Sequence, residues 1–198
     1  MSSFRSEPFL WIHLAGIAVF PAMLELTWLG LAVGSPLPIS SMELLLVGFI
    51  GIVPVLWMQL VKPFNIFSIL FVALKPNCLT VEQRQILTRF KTTKHQWFSA
   101  IAAGLMLPLL WLLDRFAPLA IGVASVLPQW RILGLAIAAI AFLLANLFLQ
   151  IPISVLNVLW SDRSRVSQTN PYPAETISQD FTVPGIKVAR IPLVPSRP

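Results

Sequence analysis

Glu25 is the residue of this sequence that is hardest to explain by packing alone. It lies in an apolar stretch, residues 9–33, that is long enough to cross a membrane. A carboxyl group in hydrocarbon needs a partner, a proton or access to water. One interpretation is a proton-sensitive group or a polar contact to a partner helix. The interpretation we favour is a neutral carboxyl group that locks the helices by hydrogen-bonding the side-chain amide of Gln59, Asn146 or Gln150.

His13 lies in the same stretch and is the other intramembrane side chain with ligand chemistry. Imidazole is an axial ligand of haem iron and, by the same chemistry, of the magnesium of chlorophyll, so His13 is a candidate for tetrapyrrole binding. His95 cannot complete a pair of ligands, because it lies at the far end of a different helix. We favour an interfacial histidine that hydrogen-bonds a backbone carbonyl group. A Soret absorbance that is lost in His13→Ala would support the tetrapyrrole instead.

Asn146 and Gln150 are four residues apart, so they share one face of a helix and are expected to hydrogen-bond across the helix bundle. Together with Glu25 they suggest a second alternative, a small proton-coupled transporter. A transport path usually has broken helices in matching halves or several ionisable groups around one cavity. The sequence has neither pattern, so transport is the less favoured alternative.

Enzymatic motifs are absent from the sequence. It has no His, Asp and Glu cluster at metal-ligand spacing, no G-x-S-x-G motif and no glycine-rich phosphate loop. Cys78 is the only cysteine, which excludes an internal disulfide and a cysteine-based metal cage. The sequence therefore predicts a non-enzymatic protein with no catalytic residue and no metal site. It requires no cofactor, and chlorophyll or haem at His13 stays an open alternative.

Four apolar stretches must position these side chains. The predicted spans are residues 9–33, 42–61, 96–113 and 131–151. Each comes close to the ~20 apolar residues that cross the ~30 Å hydrocarbon core. Because 57% of the chain is hydrophobic and only 11% is charged, a soluble domain of this size is excluded. The predicted fold is an all-α integral membrane protein with four transmembrane helices and an interfacial amphipathic segment between helices two and three.

Positive charge alternates from one connection to the next. Assigning alternate segments to one side of the membrane places twelve Lys and Arg residues on that side and two on the other. Basic segments are retained in the cytoplasm, so both termini are predicted to be cytoplasmic. This bias also explains the basic composition, and no pattern of nucleic-acid recognition accompanies it.

The basic loop, residues 62–95, has structure of its own. Its apolar run 63–74 is about 18 Å long if helical, too short to span, and is expected to lie at the interface or dip into the bilayer. Thr80 and Gln83 then predict a capping box. The helix that follows has one apolar side and positive charge around the rest, which is typical of a basic amphipathic helix at an anionic membrane surface or against a partner. Its cations are Arg84, Arg89, Lys91 and Lys94.

Residues 161–198 are rich in Ser, Pro, Gln and Thr and are predicted to form a flexible cytoplasmic tail. A short apolar motif, 181–194, carries Lys187 and Arg190. One interpretation is that Ile186 and Val188 form a strand that adds to a sheet edge. The other is a solvated end whose apolar residues have no structural role.

Several segments together resemble a known family. They are FRSEPFLWIH (4–13), PAMLELTW (21–28), WMQLVKPF (57–64), ALKP (73–76) and LTVEQR (79–84). They are similar to a cyanobacterial family of small integral membrane proteins described as low-complexity tail membrane proteins. The resemblance implies a photosynthetic bacterium and its thylakoid or plasma membrane. It assigns no activity and carries over no functional residue.

These observations predict an accessory, assembly or scaffold protein of the membrane. Its helices would dock on a larger membrane complex, for which the resemblance suggests a photosystem. Its basic loop and tail would contact lipids and protein partners at the cytoplasmic face.

Overall fold

The computed structural model describes residues 4–69, 71–161, 168–183 and 185–191. Parts of the predicted tail lie outside the described residues. They include residues 162–167 and the end of the terminal motif, residues 192–194. In chain order the α-helices are α1 (Pro8–Ala15), α2 (Val19–Ala32), α3 (Ser40–Val61), α4 (Val81–Phe90), α5 (Thr93–Phe116), α6 (Ile121–Ala124), α7 (Arg131–Leu159) and α8 (Ala174–Asp180).

Four segments are long and apolar enough to cross a membrane: Pro8–Ala32, Ser40–Val61, Thr93–Ala124 and Arg131–Leu159. The predicted all-α membrane fold with four spans is therefore confirmed.

Prolines within the spans interrupt the helices little. The first span changes to a 3-10 helix over Gly16–Ala18. This segment includes Ile17, four residues before Pro21, and a proline ring clashes with the carbonyl group at that position. α5 continues through Pro108 to Phe116. The fourth helix was expected to span to about residue 151, and α7 runs through Pro152 to Leu159.

The second half of the apolar run 63–74 forms strands of a small sheet, and its predicted position at the interface stays a prediction. The sheet contains β1 (Ser68–Ile69), β2 (Val72–Leu74) and β3 (Ile186–Val188) in that order. β1 pairs antiparallel with β2, and β2 pairs parallel with β3, with Ala73 opposite Lys187. Asn65 turns the chain before β1, because its side chain accepts from the Phe67 N–H while its carbonyl group accepts from the Ser68 hydroxyl.

The described part of the tail is ordered, which corrects the prediction of a flexible segment up to residue 180. α8 buries Ile177, and Phe181 follows it into the same core. The polar composition of the tail did not predict this helix, because two well-placed apolar side chains suffice to hold a short helix against a larger core. For the terminal motif the structure realises the first interpretation, since β3 adds to the edge of β2.

The chain divides into two compact units. The terminal unit contains Met1–Ala15, Trp57–Ser99 and Ile151–Pro198, and the central unit contains Gly16–Leu56 and Ala100–Gln150. The core of the terminal unit is rich in large side chains. Its fully buried members include Phe9, Leu10, Phe67, Ile86, Leu87, Phe90, Ile177 and Phe181.

The central unit packs helices through small residues. A Cβ on Gly30 of α2 would lie 2.6 Å from the backbone nitrogen of Ala138 in α7. A Cβ on Gly134 would lie 2.6 Å from the Gly30 carbonyl oxygen. The two backbones are therefore in direct contact, as is common for helices packed inside membranes.

The connection between α5 and α7 also belongs to the central unit. Its 3-10 helix (Ala117–Ala120) and α6 both contact α2. Ala117, Ala120 and Ala124 are buried, and the Trp28 indole donates to the Phe116 carbonyl oxygen at 2.8 Å.

Candidate functional site

The basic helix α4 is organised by its predicted cap. The Thr80 hydroxyl accepts from the Gln83 N–H at 3.2 Å, and the Gln83 side chain accepts from the Thr80 N–H at 3.0 Å. This capping box is confirmed. It fixes the start of the helix and therefore the direction in which each later side chain points.

The apolar side of α4 contacts this protein's own core, which limits the predicted role of the helix. Leu79, Ile86, Leu87 and Phe90 are all buried within the terminal unit. The polar side of α4 is therefore the side that is left for a membrane or a partner. The physical reason is the sheet and α8, which supply an apolar surface that the sequence did not reveal.

The four cations of α4 and its continuation differ in exposure. Arg84 and Arg89 are half-buried, whereas Lys91 and Lys94 are exposed. Arg84 bonds the tail twice, since its guanidinium donates to the Tyr172 carbonyl oxygen at 3.4 Å and its own carbonyl oxygen accepts from the Tyr172 N–H at 3.2 Å.

Tyr172, Asp180 and Lys91 form the polar contact that holds α8 against α4. The Tyr172 hydroxyl donates to Asp180 at 2.8 Å, and Lys91 forms an ion pair with Asp180 at 3.1 Å. The Tyr172 hydrogen bond and then the Lys91 ammonium lower the pKa of Asp180 below its usual value. Burial, followed by the neighbouring Asp180, raises the pKa of Tyr172 to about 12. Tyr172 is therefore a neutral donor and Asp180 a charged acceptor across the physiological range.

Lys187 and Arg190 extend the positive surface from β3. Both are exposed, and Lys187 donates to the Ser178 hydroxyl at 2.9 Å. The strand is fixed by backbone bonds from Ile186 to Phe71 and from Lys75 to Val188, both 2.8 Å long. The structure thus brings the predicted cations of the loop and of the tail into one unit.

His13 lies in the terminal unit and has the bonding of the interpretation we favoured. Its Nδ1 is 2.8 Å from the Phe9 carbonyl oxygen, and its ring lies 5.6 Å from that of Phe64. Gln59 and His95 are also buried in this unit. The Gln59 amide atoms and His95 Nε2 have no hydrogen-bond partner among the residues that the structure describes.

Asn146 and Gln150 are buried in the central unit, where Asn146 bonds across the bundle as predicted and Gln150 bonds to Asn146 within α7. Asn146 donates from α7 to the Gly51 carbonyl oxygen of α3 at 3.0 Å, and Gln150 donates to Asn146 at 2.9 Å. Glu25 is exposed on α2. The prediction that Glu25 hydrogen-bonds these amides is wrong. The side of α2 that faces inward is the opposite one, which contains Thr27.

An ion pair in the central unit was missed. Glu43 at the start of α3 is 4% exposed, and Arg131 at the start of α7 donates to it from Nε at 2.8 Å. Arg131 Nη1 also donates to the carbonyl oxygens of Leu31 and Val33, at 2.7 and 2.9 Å, and so engages the end of α2. The sequence contains a signal for this pair. One acid and one base lie at span ends that the charge pattern assigns to the same side of the membrane.

The described residues contain no group of three or more His, Cys, Asp and Glu side chains that could hold a metal ion. The arrangement can bind anions through its cations and can present backbone and charge to another protein. A family model described as low-complexity tail membrane protein-like matches residues 6–193. No curated protein and no solved structure matches the chain.

Proposed function

The chain belongs to the low-complexity tail membrane protein-like family, and we propose that it is a non-enzymatic accessory or assembly protein that docks on a larger membrane complex. The cyanobacterial resemblance of its sequence supports a photosystem as that complex and the thylakoid as the membrane. The charge pattern supports a cytoplasmic position for both termini.

The observation that carries the proposal is the ordered, positively charged terminal unit. Its described residues include nine Lys and Arg residues against four Asp and Glu residues. The chain folds the loop between the second and third spans and its own C-terminal region into one core, where short independent connections would suffice to join the helices. A rigid surface with exposed cations suits recognition of an acidic protein surface.

Lys187 and Arg190 are the residues best placed to contact a partner. They lie on and just after β3, whose backbone is fixed by the sheet, and Ile186 beside them is 71% exposed. Fixed cations attract an acidic partner, and the exposed apolar side chain beside them is buried when the partner binds. Charged and apolar groups together are the usual composition of a protein interface.

Affinity purification from native membranes tests the proposal. The wild-type protein should recover stoichiometric membrane partners, and recovery should fall as salt screens the charges. The Lys187→Glu/Arg190→Glu variant should lose these partners, whereas Arg115→Glu, which changes an exposed cation of the central unit, should keep them.

Purification of the wild-type protein without any stoichiometric partner would contradict the proposal. Equal recovery by the double variant and the wild type would contradict the assigned surface.

A further inference from the structure

A small polar cavity lies in the terminal unit, where α4 passes into α5 and α7 ends. Its volume is about 190 Å³. We propose that this cavity binds the phosphate group of an anionic phospholipid. Its polar and aromatic lining residues are Arg89, Thr92, Lys94, Asn157, Trp160 and Ser161.

The described lining of the cavity is positively charged. Arg89 and Lys94 line it, and none of the lining residues that the structure describes is acidic. Neither cation has a carboxylate partner among the described residues, in contrast to Lys91, which pairs with Asp180. Charge-assisted hydrogen bonds to phosphate oxygens are stronger than neutral ones, so this pair of cations suits a phosphate group.

Helix ends of both signs surround the cavity, because α5 begins there whereas α4 and α7 end there. The Thr92 hydroxyl donates to the Arg89 carbonyl oxygen, and the Ser161 hydroxyl donates to the Asn157 carbonyl oxygen, both at 2.9 Å. These two hydroxyl hydrogens are therefore engaged, and the charged donors that remain for an anion are those of Arg89 and Lys94. α5 begins at Thr93 and runs for 24 residues, so the positive end of its dipole lies beside the cavity.

The position of the cavity identifies a lipid as the source of the phosphate. It lies where the span Thr93–Ala124 begins and the span Arg131–Leu159 ends. Trp160 in its lining is 77% exposed, and Trp97 in the first turns of α5 is 66% exposed. Exposed tryptophans at span ends mark the headgroup level of a bilayer. A free phosphate ion would be recognised by the same groups, but it has no preference for the headgroup level of a bilayer.

Native mass spectrometry of the full chain, purified in detergent and exchanged into mixed phosphatidylglycerol and phosphatidylcholine, tests this inference. The wild type should retain one phosphatidylglycerol in preference to phosphatidylcholine. Arg89→Gln/Lys94→Gln should reduce that retention on the order of 10- to 30-fold, as expected when two cations near a membrane surface are removed. Lys75→Gln removes an exposed cation of the same unit outside the cavity and should leave retention unchanged.

A parallel arm adds inorganic phosphate and follows thermal unfolding of the lipid-free protein, which also reports whether each variant is folded. Equal retention of the two lipids, or equal retention by the double variant and the wild type, would overturn the assignment. Stabilisation by inorganic phosphate without lipid retention would overturn the lipid source. The test does not depend on any protein partner, so its outcome is separable from that of the docking proposal.

Discussion

In the central unit, one charged residue, Arg131, stabilises the end of a membrane helix. Arg131 satisfies the exposed carbonyl groups at the end of α2 and pairs with Glu43, which in turn accepts from the Leu37 N–H at 3.0 Å. One guanidinium therefore connects the start of α7 to the end of α2 and the start of α3. A buried pair of this kind is costly to break from one side, because the remaining charge has no partner.

We predict that Arg131→Gln lowers the free energy of unfolding by about 3–5 kcal/mol. Thermal or denaturant unfolding in detergent measures the change. Arg115→Gln is the matched control, since Arg115 lies 5.4 Å over the exposed Trp111 ring and contributes only a surface cation–π contact. Equal losses in the two variants would show that Arg131 has no special role.

The contact between Tyr172 and Asp180 makes attachment of α8 dependent on pH. The pKa of Asp180 is lowered in the folded protein, so its charged form stabilises the fold above its ordinary pKa, and that stabilisation is lost as the pH falls through the lowered value. Hydrogen-exchange protection of α8 should therefore decrease below about pH 4.

Asp180→Asn should show reduced protection of α8 already at pH 6 and no further acid-dependent step at this site. Glu175→Gln changes an exposed acid of the same helix and should behave as the wild type. An unchanged acid step in Asp180→Asn would exclude Asp180 as its cause.

At the scale of elements, β3 depends on one glycine. Gly185 has φ +70°, and a Cβ there would lie 1.9 Å from the Phe71 carbonyl oxygen. That oxygen accepts from the Ile186 N–H, so the bond that starts the β2–β3 pairing requires the close approach. The charged surface that carries Lys187 is therefore positioned by a backbone feature.

Gly185→Ala should release β3, with about 1–2 kcal/mol lost to the left-handed backbone alone and more to the steric clash. Hydrogen exchange of the Ile186 amide should become fast. Gly104→Ala is the control, because nothing lies within 4 Å of a Cβ at that position. Retained protection in Gly185→Ala would contradict this role.

At the scale of the whole molecule, positive charge is segregated. Nine of the eleven described Lys and Arg residues belong to the terminal unit, and Arg115 and Arg131 belong to the central unit. The loop around Cys78 and the connection around Ser125 should therefore lie on opposite sides of the membrane.

Labelling with a membrane-impermeant maleimide tests this topology without a new cysteine, because Cys78 is exposed. In isolated, sealed thylakoids, whose cytoplasmic face is outside, we expect Cys78 to be labelled before permeabilisation. Ser125→Cys, made in a Cys78→Ser background, should be labelled only after permeabilisation. Labelling of both positions from outside would reject the topology and the cytoplasmic docking surface with it.

The sequence by itself determined the features that depend on local composition. Hydropathy and length identified the four spans, and the Thr80–Gln83 spacing identified the start of α4. The charge pattern identified the basic segment. Each of these depends on neighbours along the chain, so short-range rules suffice.

Only the tertiary structure decided what those segments contact. It placed Ile186–Val188 beside Val72–Leu74, although more than a hundred residues separate the two strands. It paired Arg131 with Glu43 and turned Glu25 outward. Two short apolar runs or two lone charges are compatible with many partners, and the chosen one follows from packing of the complete chain.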